Sequence, residues 1–493
     1  MVQVESGTEA MAFFDKPVSD AVRDVHAGKV SARSLCARAI ESAEGRGREL
    51  NAFITVCGES ALKRADELDA LPPDVRRGMP LCGIPVAVKD NICTEGIKTT
   101  CASRMLESFV PPYSATVVEA LLGAGAVVVG KTNLDEFAMG SSNETSYFGP
   151  ARNPRNGQKI PGGSSGGSAA AVGAAVVPAA LGTDTGGSIR QPSSHCGTVG
   201  LKPTYGRVSR YGAVAFASSL DQIGPITSSV RDAGLLLSVL SVPDKRDSTC
   251  AGRQFADSED FYSGDVSGLR VGMPREYFGE GLSNEARSAI VPVAEKLKRR
   301  GASVVEVSLS NVKYAVAAYY IIAAAEASSN LLRFSGVGYG FRAAGAGTLD
   351  DMYRATRAQG FGTEVKRRVM LGTYVLSSGY YDAYYMKAAR VRTLIANDFE
   401  RAFGGCDVIL SPVSPSPACD LGSSAGDPLS VYLSDIYTVS ANLAGIPAMS
   451  VPCEVPKGAL PVGAQLMAGR WREDLLLRVG SAVFGGDSPD SMN

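Results

Sequence analysis

The run Thr116-Val117-Val118-Glu119-Ala120-Leu121-Leu122-Gly123-Ala124-Gly125-Ala126-Val127-Val128-Val129-Gly130-Lys131 decides the fold class. Residues 116–122 read as a helix, Gly123-Ala124-Gly125 as a turn, and 126–129 as a buried strand that halts at Gly130-Lys131. Upstream, Gly83-Ile84-Pro85-Val86-Ala87-Val88-Lys89-Asp90 reads as another buried strand, with Lys89 delivered at its end. Strands alternating with helices favour a mixed or mainly parallel sheet covered on both faces. The expected class is therefore α/β: a single large domain with a mixed central β-sheet and helices on both faces.

Outward from that unit, residues 20–43 have helical spacing, with Val22, Val25, Leu35 and Ala39 as apolar positions. Gly28 divides this stretch and Ser31 caps its second piece. A further helix is expected over 59–69, ended by Pro72-Pro73, and a helix of tiny side chains over 168–180. Residues 242–268 turn polar (Asp244, Lys245, Asp247, Asp257, Glu259) and mark a candidate insertion, after which 269–272 resume as a strand. The Gly-rich stretch 335–348 and the Pro/Ser-rich stretch 411–428 read as mobile loops. The expected organisation is an N-terminal helical arm (1–60) packed on a catalytic domain (61–484), with a disordered tail (485–493). No internal repeat is present.

Composition narrows the function classes. A length of 493 residues would suggest about three domains at roughly 150 residues each, a prior that large α/β enzymes exceed. Hydrophobic residues make up 45% and charged residues 20%, enough for a large core. Formal net charge is −1, and the densest basic cluster, Lys366-Arg367-Arg368, is too short for a phosphate-binding stripe, so direct nucleic-acid binding is not indicated. The ten cysteines include no CxxC pair and read as reduced thiols in a cytosolic protein. Residues 1–15 carry Glu5 and Glu9 and no basic stretch, unlike a signal peptide. The small-apolar stretches 169–182 and 315–325 are too short to span a bilayer. The expectation is a soluble, cytoplasmic protein with no membrane association and no metal site. Only two histidines occur, His26 and His195, which leaves a histidine-based mechanism little room.

Two Gly/Ser clusters carry the chemistry: Pro161-Gly162-Gly163-Ser164-Ser165-Gly166-Gly167-Ser168 and Asp184-Thr185-Gly186-Gly187-Ser188-Ile189-Arg190. The first lacks the Gly-Lys-Ser/Thr of a phosphate-binding loop. It contains G-x-S-x-G, but the acid-then-histidine order of the α/β-hydrolases is missing, because His195 follows too closely. A flexible linker would not sit between apolar strands and helices. The second cluster suggests an oxyanion hole, since consecutive glycines can turn successive N–H groups inward and the serine after them can attack the carbonyl they stabilise. Asp184 and Arg190 read as an ion pair bracing the loop. With no histidine base, Lys89 is the candidate, provided burial lowers its pKa from about 10.4.

These three motifs, in this order, closely resemble the amidase signature family, and the resemblance covers nearly the whole chain. It implies a nucleophile at Ser188, a bridging Ser164 preceded by a cis peptide bond, a base at Lys89, and an oxyanion hole from the N–H groups of Thr185, Gly186, Gly187 and Ser188. Ser165 and Ser168 have no part in that triad and read as hydrogen-bonding support. Within the family, Asn133-Leu134-Asp135-Glu136-Phe137-Ala138-Met139-Gly140-Ser141-Ser142-Asn143-Glu144, the stretch from Leu201 through Arg210, the stretch from Leu376 through Tyr385, and Asn442-Leu443-Ala444-Gly445 are similar to the A subunits of glutamyl-tRNA(Gln)/aspartyl-tRNA(Asn) amidotransferases. That resemblance implies release of ammonia from glutamine. A B subunit would use the ammonia, with ATP and Mg, to amidate misacylated tRNA, and a C subunit would complete a heterotrimer. No cofactor would reside in this chain. It also implies Arg368 for the glutamine α-carboxylate, Asp435 for its α-amino group, and Tyr319 lining the site. The alternatives are a stand-alone amidase of small amides with the same triad, and a non-catalytic scaffold, against which the intact Lys89, Ser164 and Ser188 argue.

Overall fold

The computed structural model describes Phe14, residues 17–423 and residues 432–484. Eleven strands form one sheet: β1 (Phe53–Val56), β2 (Pro85–Lys89), β3 (Val127–Thr132), β4 (Ala179–Asp184), β5 (Val199–Lys202), β6 (Gln222–Thr227), β7 (Arg270–Pro274), β8 (Ser303–Val307), β9 (Val408–Pro412), β10 (Ala448–Pro452) and β11 (Gly463–Ala468). Their spatial order is β1-β3-β2-β4-β6-β5-β10-β11-β9-β7-β8. The sheet is mixed: β2 runs parallel to β3 and β4, β7 to β8 and β9, and the remaining pairings are antiparallel.

Side-chain alternation along the central strands splits the core into two faces. Val86, Val88, Val128, Ala179 and Leu181 join a large cluster with the helices Val18–His26, Thr116–Gly123 and Val230–Leu240. Ala87, Val127, Val129 and Ala180 point the other way, to a smaller cluster under the helices Ala32–Ser42, Gly58–Asp69 and Gly166–Gly173. Strands buried on both faces have no polar face, which is why they read as continuous apolar runs.

Local readings and structure differ at definite points. Ser31 caps the helix Ala32–Ser42, its Oγ accepting from Ser34 N at 3.0 Å. The helix Gly58–Asp69 stops before Pro72, and Pro73 opens the short helix Pro73–Arg77, where its missing N–H costs nothing. The strand expected over 126–129, halting at Gly130-Lys131, runs instead as β3 from Val127 through Gly130 and Lys131 to Thr132. A Cβ at Gly130 would lie 2.7 Å from the Phe53 ring, so the glycine admits the edge strand β1. The helix expected over 168–180 is shorter, Gly166–Gly173, and 179–184 form β4. Pro178 disfavours helical backbone at the residue before it, so the chain can re-emerge extended. The stretch expected as an N-terminal arm supplies two helices but also β1, so the sheet begins inside it. Residues 485–493, and 424–428 of the Pro/Ser-rich stretch, lie outside the described residues.

Among the described residues, one helical run, Val312–Arg333, is long and apolar enough to cross a membrane by length and composition, longer than the apolar stretch at 315–325 suggests. Ala315, Ala318, Tyr319, Ile322, Ala323 and Ala327 within it are buried in the core, as in a core helix of a globular domain. None of the ten cysteines is disulfide-bonded.

Candidate active site

β2 and β4 lie side by side and parallel, with Val88 opposite Leu181, so their C-terminal ends bring Lys89 and Thr183 together. The carboxyl ends of parallel strands are where open α/β sheets place their sites. Lys89 is fully buried, and its Nζ lies 2.7 Å from Ser164 Oγ, 2.9 Å from Ser165 Oγ and 2.8 Å from Thr183 Oγ1. Among the described residues no carboxylate bonds to Lys89 Nζ. Burial therefore wins over the more distant Asp135, Asp184 and Asp221, and lowers the lysine pKa to about 7.

Ser164 enters from the first Gly/Ser cluster. The Gly163–Ser164 peptide is cis. A Cβ at Gly163 would fall 2.1 Å from Asp135 Oδ2 and 2.7 Å from Ser142 N, so no other residue fits there. Gly163 N donates to Gln191 Oε1 at 2.8 Å, tying this loop to the helix Arg190–Cys196. Ser165 Oγ donates to Thr183 O at 3.1 Å and accepts from Thr183 N at 3.2 Å. Ser168 is a strut between helix and sheet: its Oγ lies 2.6 Å from Thr132 Oγ1 and donates to Leu181 O at 2.9 Å.

The second cluster folds around a buried ion pair. Arg190 Nε and Nη2 donate to the two Asp184 carboxylate oxygens at 3.0 and 2.9 Å. Arg190 also reaches Gln465 Oε1 and Asn442 Oδ1, both at 2.6 Å, and Asn442 Nδ2 returns a bond to Asp184 Oδ1 at 2.9 Å. Burial would raise the Asp184 carboxyl, but Arg190 and these donors hold it well below the usual carboxylate range. The turn above this pair needs both its glycines. A Cβ at Gly186 would lie 2.5 Å from the Tyr319 ring, and Gly187, at φ +132°, faces Thr438 Oγ1 at 2.3 Å from its would-be Cβ.

The expected row of four inward N–H groups is not all free. Gly187 N donates to Asp184 Oδ1 at 2.8 Å, because the carboxylate sits beneath the turn and captures the donor nearest to it. Ser188 follows. Lys89 and Ser164 are sealed at 0% exposure whereas Ser188 retains 8%, so of the three it alone reaches the opening. Ser188 O accepts from Ser165 N at 3.1 Å, which fixes the two Gly/Ser clusters to each other. No hydrogen bond joins Ser188 Oγ to Ser164 Oγ among the described residues.

Around this opening stand the other nominated residues. Arg368 is buried to 4% exposure between the rings of Tyr320, Phe216 and Tyr432, at 5.2, 5.5 and 5.8 Å, and its Nε donates to Glu364 Oε1 at 2.8 Å. Its two terminal nitrogens donate to nothing among the described residues. Asp435 accepts from Ser141 Oγ at 2.8 Å and Tyr320 Oη at 3.0 Å, and burial raises its pKa to about 6. Thr438 links this group to the glycine turn, its Oγ1 donating to Gly186 O at 2.6 Å and Asp435 O at 3.1 Å.

Sequence reasoning missed Thr183, Ser141, Tyr320, Glu364, Asp221 and Thr438. Asp221 accepts from Thr185 Oγ1 at 2.7 Å and holds the entry to the turn. Ser141 and Asn442 lie inside the family-like stretches but carry no signal of their own, since their partners stand hundreds of residues away. His195 stands beside Gly162, whose would-be Cβ falls 3.1 Å from its Nδ1, but among the described residues it makes no hydrogen bond to Lys89, Ser164 or Ser188. Its Nε2 is 3.3 Å from Ser414 Oγ, and burial lowers its pKa to about 4. Among the described residues no group of three His, Cys, Asp or Glu side chains is placed to hold a metal ion.

The chain matches the amidase family model over residues 33–477. It is 52% identical over 475 residues to the A subunit of the glutamyl-tRNA(Gln) amidotransferase of Lachnospira eligens, covering 96% of this chain and 98% of that one. Among solved structures it is similar to the A subunit of the glutamyl-tRNA(Gln) amidotransferase of Thermotoga maritima, with TM-score 0.79 and 43% identity over 97% of this chain and 96% of that one. It is also similar to the peptide amidase of Stenotrophomonas maltophilia, with TM-score 0.81 and 30% identity over 96% and 97%. The chain therefore belongs to the amidase family and, within it, to the A subunits of glutamyl-tRNA(Gln) amidotransferase.

Proposed function

We propose that this chain is the glutaminase of a tRNA-dependent amidotransferase, and that it hydrolyses glutamine through an acyl-ester on Ser188. The observation that carries the reading is the set of hydrogen bonds around Lys89. Ser165 Oγ already donates to Thr183 O, so toward Lys89 it can only accept. Thr183 Oγ1 accepts from Asn91 Nδ2 at 3.1 Å and from Lys89. A neutral amine has two N–H donors and one lone pair. Those two hydroxyls are the short acceptors, with Thr183 O standing farther off at 3.4 Å, and the lone pair is left facing Ser164 Oγ at 2.7 Å.

The reaction follows from that. Ser188 Oγ attacks the side-chain carbonyl of glutamine while its proton passes to Ser164, whose own proton passes to Lys89. The bond between Ser188 and Ser164 must close as the substrate binds, as catalytic hydrogen bonds commonly do. The N–H groups of Gly186 and Ser188, with Thr185, stabilise the oxyanion. Gly187, held by Asp184, braces the turn and contributes little to that charge. The relay returns a proton to the departing ammonia, and water then hydrolyses the ester by the reverse path. Arg368 takes the α-carboxylate on its two free terminal nitrogens, Asp435 takes the α-amino group, and Tyr319 walls the glycine turn.

In this reading the ATP and Mg chemistry and most contact with misacylated tRNA fall to a B subunit. A C subunit completes the heterotrimer, and the assembly works in the cytoplasm. Exposed Met370, Leu371, Tyr374, Tyr380, Tyr381 and Tyr384 form an aromatic-rich surface beside the site that suits contact with a partner. Co-expression with the B and C subunits tests this, because a stand-alone amidase would stay monomeric and turn over small amides unaided. The assembled complex carrying Ser188→Ala is expected to keep amidating tRNA with free ammonium. Loss of that activity in an intact complex would count against separate sites.

Two further outcomes are expected. Arg368→Ala raises the glutamine KM strongly, about a hundredfold for a lost charge-assisted carboxylate contact, and leaves ammonium-dependent amidation unchanged; an unaltered glutamine saturation curve would show the assignment wrong. His195→Gln lowers glutaminase kcat by at most about tenfold, or 1.4 kcal/mol, because the ring packs outside the Lys89–Ser164–Ser188 group. A loss as large as that of Lys89→Ala in folded protein would end the lysine-based reading.

A further inference from the structure

Glu136 is buried to 3% exposure, yet among the described residues no cation bonds to it. Its Oε1 accepts from Ser103 Oγ at 2.5 Å and its Oε2 from Gly362 N at 2.8 Å. Burying a carboxyl against one hydroxyl and one amide is costly, so the contact must hold something in place. Gly362 is the N-cap of the helix Thr363–Leu376, and that helix has no side-chain cap of its own. A carboxyl oxygen at this position satisfies an N–H at the helix start that has no partner within the helix.

This helix carries Glu364 and Arg368. Arg368 lies six residues from the cap, roughly 9 Å along the axis. Further on, a Cβ at Gly372 would meet Ala324 O at 1.9 Å, so the helix presses there against Ala315–Asn330, the helix that carries Tyr319. The helix thus packs on Ala315–Asn330 through the Gly372 contact, buries Val365 in the core and takes a hydrogen bond from Tyr432 Oη to Glu364 Oε1 at 2.9 Å, while Glu136 holds its N-cap, with the Gly-rich stretch 335–348 upstream. Residue 362 is fitted to the carboxylate: a Cβ there would fall 2.3 Å from Glu136 Oε2. The Phe361 ring packs edge-on against Phe137, next to Glu136, at 5.6 Å.

We propose that Glu136 is a positioning residue for glutamine specificity, tethering the start of the helix that carries Arg368 so that its guanidinium meets the substrate carboxylate. The proposal rests on the reading of Arg368 as the carboxylate ligand. Without the tether the first turns of the helix loosen and Arg368 shifts, while Lys89, Ser164 and Ser188, held by β2, β4 and the Gly/Ser loops, stay in register.

The test is steady-state glutaminase kinetics of the assembled complex with two substrates: glutamine, and 4-aminobutanamide, which is glutamine without its α-carboxylate. Glu136→Ala is expected to raise the glutamine KM about tenfold or more with kcat within about twofold, since small misplacements of a clamp cost binding first. It should leave 4-aminobutanamide turnover unchanged. Glu136→Gln, which keeps an oxygen for Gly362 N, should behave as wild type. Gly362→Ala, whose Cβ would press on Glu136 Oε2 and so displace the helix start with Glu136 itself unchanged, should reproduce the Glu136→Ala defect and keeps the test decisive if Glu136→Ala does not fold. An unchanged glutamine KM in Glu136→Ala or Gly362→Ala, alongside a raised KM in Arg368→Ala, overturns the tether and leaves the Arg368 reading standing. Equal losses on both substrates overturn it as well, because they mean general disorganisation. If Arg368→Ala itself has no effect on glutamine, the underlying reading fails first, and the tether with it.

Discussion

Replacing Ser188 by alanine is expected to lower glutamine-dependent ammonia release at least about a thousandfold, with fold and assembly intact. Ser188 follows the turn that Gly186 and Gly187 shape, and it alone of the three central side chains reaches solvent. Removing its Oγ leaves Thr185 Oγ1 as the turn's other hydroxyl, and that one is engaged by Asp221 at 2.7 Å. Ser164 and Ser165 are both sealed and both engaged with Lys89. The turn itself is set by Asp184, Arg190, Asn442 and Thr438, none of which bonds to Ser188 Oγ, so the alanine variant should fold normally. The measurement is ammonia release from glutamine under single-turnover conditions, together with size analysis of the complex. Residual activity above about a thousandth of wild type would remove Ser188 from the nucleophile role.

Lys89→Ala is expected to be as damaging, and its pH signature is diagnostic. The base works only as the neutral amine, and burial lowers its pKa to about 7. Acylation should therefore rise with pH through about 7 and level off above it, because each added unit of pH enlarges the neutral fraction until it saturates. Asp435 titrates lower, at about 6. It must be ionised to hold an ammonium, so the glutamine KM should climb as pH falls below about 6, separately from the loss of kcat. Lys89→Ala should lose at least about a thousandfold in kcat, and Lys89→Arg should not rescue it, since a guanidinium stays charged at any usable pH. A rate that fell between pH 6 and 8, or an active arginine variant, would exclude a neutral lysine base.

Some of this was legible in the chain alone. The apolar runs ending at Lys89 and at Lys131 had to be buried strands, because no polar face exists along them. The two Gly/Ser clusters could be nominated because a backbone that bends so tightly and packs so closely admits only glycine, and that requirement is written in the residue type. Helix starts were visible where a hydroxyl caps its own turn, as at Ser31. Local rules failed where a distant neighbour overrode them: Gly130 looked like a stop and is a gap for Phe53, while the small side chains after Gly173 looked helical and became a turn and the first two residues of β4.

The amino-acid sequence by itself thus determined the class of fold, the strand that carries Lys89 and the serine clusters, since hydrophobic period and glycine geometry act within a few residues. Only the tertiary structure decided which groups meet. Lys89 and Ser164 are 75 positions apart and Arg190 and Asn442 are 252 apart, yet each pair is in hydrogen-bond contact. The lysine pKa, the engagement of Gly187 by Asp184, and the hold of Glu136 on the Arg368 helix all depend on burial and on partners brought from elsewhere in the chain. Desolvation and hydrogen bonding are properties of a packed neighbourhood, and no local stretch of sequence contains one.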